Sequence, residues 1–296
     1  MGGMATFGEV LTAMITPFAD DLSLDVDGAV TLARWLVDNG NDGLVVAGTT
    51  GEAPTLTDDE HLTLAEAVCQ AVTVPVLVGT GSNDTAHAVK MTAELERLGA
   101  AGALVVGPYY NRPPQAGIEA HFRAVAAATP LPVMVYDVPG RTGRRIAHDV
   151  LVRLATEVPN IRAFKDATGD VQGTARVVAD TPDTFEVYSG DGPLLLPMLA
   201  VGAVGVVGVS THWTAPEYGE LIRAFTKGDV VRAREINARL IESEDFANSD
   251  TVVFSMAVKA MMRTLGLPAG ECRPPLTTCP PGTEDRAREV LARLRA

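Results

Sequence analysis

The chain has 296 residues, 47% of them apolar, and a formal net charge of −13 at neutral pH. That much apolar material builds a large core and excludes a disordered chain. No cluster of Lys and Arg rises above the acidic balance, which argues against a nucleic-acid partner; an anionic ligand has to be held by local cations and backbone N–H groups.

From Leu11 onward, short β-rich runs alternate with amphipathic stretches of helix length. Strands are expected at 12–16, 43–47, 74–79, 103–107, 133–137, 161–165, 185–189 and 205–209. Several are near-continuous apolar runs, the pattern of parallel strands covered on both faces. Thr57-Asp58-Asp59-Glu60 reads as a capping box, and Asn83 or Asp84 can cap the helix that follows. Gly40, Gly99 and Gly202 each precede a second glycine by three residues. The first of each pair suits the left-handed end of a helix and the second a tight entry into a strand.

Eight such strand–helix units predict an α/β fold, a (β/α)8 TIM barrel, over residues 1–228. An open doubly wound sheet is the alternative, although Gly79-Thr80-Gly81 lacks the third glycine of a dinucleotide fingerprint. After Gly228 the strands stop. Stretches 229–246, 251–265 and 284–295 read as three helices, separated by Asn248-Ser249-Asp250 and by a proline-rich run over 268–281. Residues 229–296 are thus expected to form a C-terminal three-helix appendix, structural or oligomeric rather than catalytic.

Cys69, Cys272 and Cys279 are odd in number, and the last two match no zinc spacing, which fits a reducing compartment. No basic and apolar leader opens the chain. The Met1-Gly2…Thr6 match to a myristoylation pattern is short enough to be accidental, and the longest apolar run, 199–209, is too short and glycine-rich to span a bilayer. A cytoplasmic protein with no membrane partner is expected.

In a barrel of this kind chemistry gathers where strands end C-terminally. Those ends carry Gly48-Thr49-Thr50-Gly51-Glu52, Pro108-Tyr109-Tyr110-Asn111-Arg112-Pro113, Tyr136-Asp137-Val138-Pro139-Gly140-Arg141, Lys165 and Ser189-Gly190-Asp191-Gly192. Alternation along the sixth strand puts Lys165 on the face of Ala163 and Ile161, two side chains suited to a barrel interior. A buried ammonium loses its hydration unless it sheds its proton. Taken alone, Lys165 reads as a snorkelling lysine or half of an ion pair with Asp166; beside the other four strand ends it reads as a neutral amine for covalent catalysis on a carbonyl. Such an amine condenses with a 2-oxo acid, and the protonated imine draws electrons from the adjacent carbon to make an enamine. A tyrosine phenol linked to a threonine hydroxyl can carry the protons. Thr49-Thr50 can hold a carboxylate and Arg141 a second one. His61, His87, His121, His148 and His212 fall in helices or outside these motifs, so no metal site and no cofactor is expected.

These motifs, with Thr142-Gly143 and Asp166-Ala167-Thr168-Gly169, resemble the dihydrodipicolinate synthase family of pyruvate-dependent, Schiff-base class I aldolases over essentially the whole chain. The resemblance implies a homotetramer built as a dimer of dimers. It also implies condensation of pyruvate with L-aspartate 4-semialdehyde to 4-hydroxy-tetrahydrodipicolinate, on the route to diaminopimelate and lysine. It assigns Lys165 to the imine, Tyr136 to proton donation and acceptance, and Thr49 and Tyr110 to the rest of a relay, Tyr110 coming from the partner subunit. Thr50 corresponds to a ligand of the pyruvate carboxylate, Arg141 to the receptor of the semialdehyde carboxylate, and Gly190 and Val207 to main-chain groups near the lysine. Asp137 and Gly140 depart from the Asn and Ser common in the family. In lysine-sensitive members an effector pocket occupies the positions of Ala53-Pro54, Asp58, His61, Asn83, His87 and Tyr109; His87 in place of a glutamate implies weak or no inhibition by L-lysine. The rival readings are an N-acetylneuraminate or 2-keto-3-deoxy sugar-acid lyase of the same family, and a non-catalytic barrel that binds a 2-oxo acid.

Overall fold

Eight short runs rich in Val, Leu and Ile pair in parallel, and the last returns to the first. They are β1 (Val10–Ala13), β2 (Gly43–Val46), β3 (Val76–Gly79), β4 (Gly102–Val106), β5 (Val133–Asp137), β6 (Ile161–Asp166), β7 (Glu186–Ser189) and β8 (Gly205–Gly208). They form a closed barrel in chain order, β8 pairing β1. This is a computed structural model, and it describes residues 5–249 and 252–296. The Met1-Gly2 start of the myristoylation match, Asp250 of the expected turn and Thr251 at the expected helix start lie outside the described residues.

The helical layer comprises α1 (Val26–Asp38), α2 (Asp58–Ala71), α3 (Thr85–Ala93), α4 (Leu95–Leu98), α5 (Gln115–Ala126), α6 (Pro139–Thr142), α7 (His148–Glu157), α8 (Val171–Asp180), α9 (Leu195–Ala200) and α10 (Thr211–Thr226). α11 (Val230–Ala247), α12 (Phe254–Thr264) and α13 (Thr283–Leu294) follow. The local signals act as expected. Thr57 and Glu60 satisfy each other's N–H groups at the start of α2, and Asp84 rather than Asn83 caps α3. Gly40, Gly99 and Gly202 all take positive φ. β5 spans the expected residues, whereas β1 begins and ends earlier than the 12–16 reading, because Val10 to Thr12 are the residues that pair with β8.

The apolar residues form two cores. A small one fills the barrel, with Leu11, Val45, Leu77, Met134, Ala163 and Val207 among its members; a larger one lies between barrel and helices. Lys165 shares the inner face with Ala163, but Ile161 does not. Between β5 and β6 the register steps from Val133↔Ile161 to Met134↔Ala163, leaving Arg162 as an extra residue. An inserted residue reverses the alternation before it, so Ile161 packs in the outer core.

Candidate active site

Lys165 is the next-to-last residue of β6, beside Tyr136 of β5 and Tyr188 of β7. Its side chain is 5% exposed, and its Nζ lies 4.4 Å from the centroid of the Tyr136 ring. Burial, reinforced by the charge of Arg141, pulls the amine from its ordinary 10.5 down to about 7. The Tyr136 phenol moves the other way, pushed up to about 12 by burial against the opposing pull of Arg141 and the Thr49 hydroxyl. At neutral pH the pair therefore offers a substantial fraction of free amine beneath a phenol that keeps its proton. Gly190 leaves room for this arrangement: a Cβ there would lie 2.9 Å from Ala167 Cβ and 3.1 Å from Lys165 Cε. Val207 closes the barrel interior from β8.

The segment after β2 carries Thr49 and Thr50. Ala47 and Glu52, which bracket it, both adopt positive φ, as do Tyr110 and Arg112 after β4. Four of the five non-glycine residues in that conformation among the described residues thus lie on two rim loops, and backbone strain of this sort gathers at functional sites. The Glu52 and Ala53 N–H groups donate to Thr49 and Gly48 carbonyls. Among the described residues those of Thr49, Thr50 and Gly51 have no acceptor, so three adjacent donors remain for an oxyanion. The Thr16 hydroxyl donates to the Gly51 carbonyl at 2.6 Å and fixes the loop from β1's side.

Thr49, Tyr136 and Arg141 line a cavity of about 550 Å³. It continues outward past Tyr109 and Tyr110 to His61 and His87, so two of the helix-borne histidines reach the same space. Tyr110 stands apart from the lysine, 89% exposed on its loop. Arg141 follows from α6, its guanidinium carbon 4.3 Å from the centroid of the Phe254 ring on α12. The structure thus brings Tyr136, Thr49, Arg141 and the exposed Tyr110 around one cavity, and places Lys165 behind it against the Tyr136 ring. Behind the site, Asp137 is 1% exposed; its Oδ2 accepts from the Ile146 N–H at 3.0 Å, while Oδ1 has no partner among the described residues. Burial, with Asp166 nearby, pushes this carboxyl up to about 7.

Three residues at the edge of the site drew no role from sequence reasoning: Glu52, Phe254 and Lys259. The last two lie in the segment expected to stay clear of the chemistry. A usable signal was present, because Lys259 is the one charge in Phe254-Ser255-Met256-Ala257-Val258-Lys259-Ala260-Met261-Met262. A lone charge in an apolar helix requires a buried partner.

A sequence model of the dihydrodipicolinate synthetase family matches residues 6–295. The 4-hydroxy-tetrahydrodipicolinate synthase of Acidothermus cellulolyticus is 50% identical over 294 residues, covering 98% of this chain and 91% of its own. A crystal structure of DHDPS from Cyanidioschyzon merolae with lysine bound superposes with a TM-score of 0.93 at 40% identity, covering 98% of this chain and 99% of its own. Another solved structure, described as a monomeric dihydrodipicolinate synthase variant, superposes with a TM-score of 0.91 at 33% identity and 97% coverage of both chains.

Proposed function

The chain belongs to the dihydrodipicolinate synthetase family, and we propose that Lys165 carries its condensation of pyruvate with L-aspartate 4-semialdehyde. The observation that carries the assignment is the buried lysine at about 7. A barrel that merely bound a 2-oxo acid would have no use for an amine kept neutral at such cost.

The neutral amine adds to the C2 carbonyl of pyruvate, and loss of water leaves a protonated imine. Removal of a methyl proton gives the enamine, which attacks the aldehyde carbon of the semialdehyde. The semialdehyde's own amine then displaces Lys165 at the imine carbon. The ring closes, the lysine is restored, and the net products are 4-hydroxy-tetrahydrodipicolinate and one water.

The Tyr136 phenol, protonated at neutral pH, donates to the departing water; Thr49 beside it takes part in returning the proton. The free N–H groups of the Thr49–Gly51 loop, with the Thr50 hydroxyl, receive the pyruvate carboxylate. Arg141, whose guanidinium lies over the Phe254 ring, receives the semialdehyde carboxylate. Gly190 supplies the space beside the lysine, and Val207 the apolar wall that keeps water from it. Arg141 also favours this substrate over the polyol chain of a sugar-acid lyase.

Tyr110 completes the relay from a partner subunit in this reading. Its exposure supports that placement, since a residue serving its own barrel has no reason to point into solvent. The proposal is accordingly a homotetramer made of tight dimers, which sedimentation would test against the monomeric state described for one relative. Among the described residues no helix is long and apolar enough to cross a membrane, and the thiols of Cys69, Cys272 and Cys279 are all free. The free thiols support a cytoplasmic setting.

The experiment is borohydride reduction in the presence of pyruvate, followed by peptide mass spectrometry. An adduct on Lys165, and consumption of pyruvate once aspartate semialdehyde is added, is the expected result. An adduct on another lysine would overturn the assignment.

A further inference from the structure

Glu52 ends the Gly48-Thr49-Thr50-Gly51 loop at φ +57, an uncommon conformation for a residue with a side chain. Its carboxylate is buried and divided between two partners. One oxygen lies 2.7 Å from Lys259 Nζ, both side chains being 1% exposed, and the other accepts from the Arg273 N–H at 2.9 Å. Lys259 in turn donates to the Glu271 carbonyl at 2.8 Å and lies 4.2 Å from the centroid of the Phe18 ring. Every contact here holds a charge in place, and neither Glu52 nor Lys259 lines the cavity. Five residues before Lys259 on the same helix, Phe254 carries the Arg141 guanidinium.

We infer that α12 is a brace that sets the spacing between the two carboxylate sites: the buried Glu52–Lys259 pair positions the Thr49–Gly51 loop for pyruvate, and Phe254 positions Arg141 for the semialdehyde. The inference rests on the reading of the two sites given above. A helix is stiff, and five residues advance it about 7.5 Å, so its two contacts move together. The loop is gripped from both sides, by Thr16 on the barrel and by Lys259 on the helix. A buried ion pair is a costly way to join two segments when an apolar contact would serve for stability alone. It does, however, fix an orientation, because the carboxylate must present one oxygen to each partner. Glu52, Lys259 and Phe254 are positioning residues in this scheme, acting through Thr49, Thr50 and Arg141.

The test compares Glu52→Gln, Lys259→Met, the double variant E52Q/K259M and Phe254→Ala in the full chain. Displacing a binding loop without removing its groups costs about ten- to a hundredfold. Glu52→Gln is therefore expected to raise the KM for pyruvate by roughly tenfold or more and to lower kcat through Thr49, with the KM for the semialdehyde little changed. Phe254→Ala should show the reverse split. The double variant should recover thermal stability lost in Lys259→Met, since no lone charge remains buried, yet keep the raised pyruvate KM. Hydrogen exchange in the free protein should show faster exchange at residues 48–52 in Glu52→Gln, with the strands unaffected. Unchanged pyruvate KM and unchanged loop exchange in folded variants would overturn the inference. So would losses on both substrates that simply track the melting temperature. If the unmodified protein failed to trap pyruvate, the functional reading would fall, while loop exchange would still decide whether Glu52 and Lys259 position that segment.

Discussion

Lys165 and Tyr136 are register neighbours on β6 and β5, the lysine nitrogen facing the tyrosine ring at 4.4 Å from its centroid. Burial lowers one member to about 7 and raises the other to about 12, so each is held in its neutral form around pH 7 to 12. A free amine and an intact phenol side by side are what imine formation needs.

That pairing fixes a pH dependence. The rate of pyruvate trapping should rise about tenfold per pH unit below pH 7, where the amine is mostly protonated, and level off above it. Stability should follow as well. Between about 7 and 10.5 the unfolded chain holds a proton at this lysine that the folded chain lacks, so stability rises with pH across that window. Below it the full penalty, roughly 5 kcal/mol, is present. Lys165→Met should abolish trapping and raise the melting temperature at pH 7, and the difference from the unmodified protein should shrink toward pH 10. Calorimetry at both pH values checks this; a destabilised Lys165→Met at pH 7 would contradict it.

Arg141→Ala should leave pyruvate trapping nearly intact while the KM for the semialdehyde rises about ten- to a hundredfold, the worth of a charge-assisted contact of roughly 1.5–3 kcal/mol. Because the Arg141 charge also depresses the lysine, its removal should move the trapping profile to higher pH. Steady-state kinetics and the trapping titration test the two effects separately. An equal loss for both substrates would show the arginine misplaced.

Tyr110→Phe should cripple turnover across a subunit boundary. Mixed under exchanging conditions with Lys165→Ala protein, it should regain part of the activity, because one barrel of a mixed dimer then has both its own lysine and an intact incoming tyrosine. No recovery after demonstrated exchange would place Tyr110 in its own barrel.

Asp137 offers a cleaner stability measurement. Its carboxyl is raised to about 7 in the folded chain from an ordinary 3.8, so the folded state binds the extra proton between those values and stability falls as pH rises through the window. Above pH 7 the charge is buried with one oxygen unpartnered. Asp137→Asn, the residue common in the family, should raise stability by about 2–4 kcal/mol at pH 8 and much less at pH 4. Equal gains at both would indicate a packing effect instead.

Inhibition by L-lysine should be weak. A second ammonium entering the outer cavity needs a carboxylate, and Asp58 is already engaged by Lys90 at 2.7 Å and His87 at 2.9 Å. Hydrogen bonds from Lys90 and then His87 hold its carboxyl down to about 2, so it has no reason to turn inward. Initial rates across a lysine titration at saturating substrates decide the matter; strong inhibition at cellular lysine concentrations would mean that Asp58 leaves those partners.

The barrel and most of its site were legible before any coordinates because both rest on local patterns. Apolar runs of strand length, capped helices between them and polar motifs at strand ends place Thr49, Tyr136 and Arg141 on one rim once eight units close, with Lys165 beside Tyr136. Three features were not legible. The extra residue at Arg162 turns Ile161 to the outer core, and alternation alone contains no sign of an insertion. Positive φ at Ala47, Glu52, Tyr110 and Arg112 falls on residues that carry no glycine signal. Finally, Lys259 announces by its apolar neighbours that it needs a counter-charge, yet only the closed fold shows that Glu52 supplies it and that Phe254 meets Arg141. Periodicity records which face of an element is buried; which buried groups meet is decided by how distant elements pack, because a charge removed from water is stabilised only by the partner that the three-dimensional arrangement brings within reach.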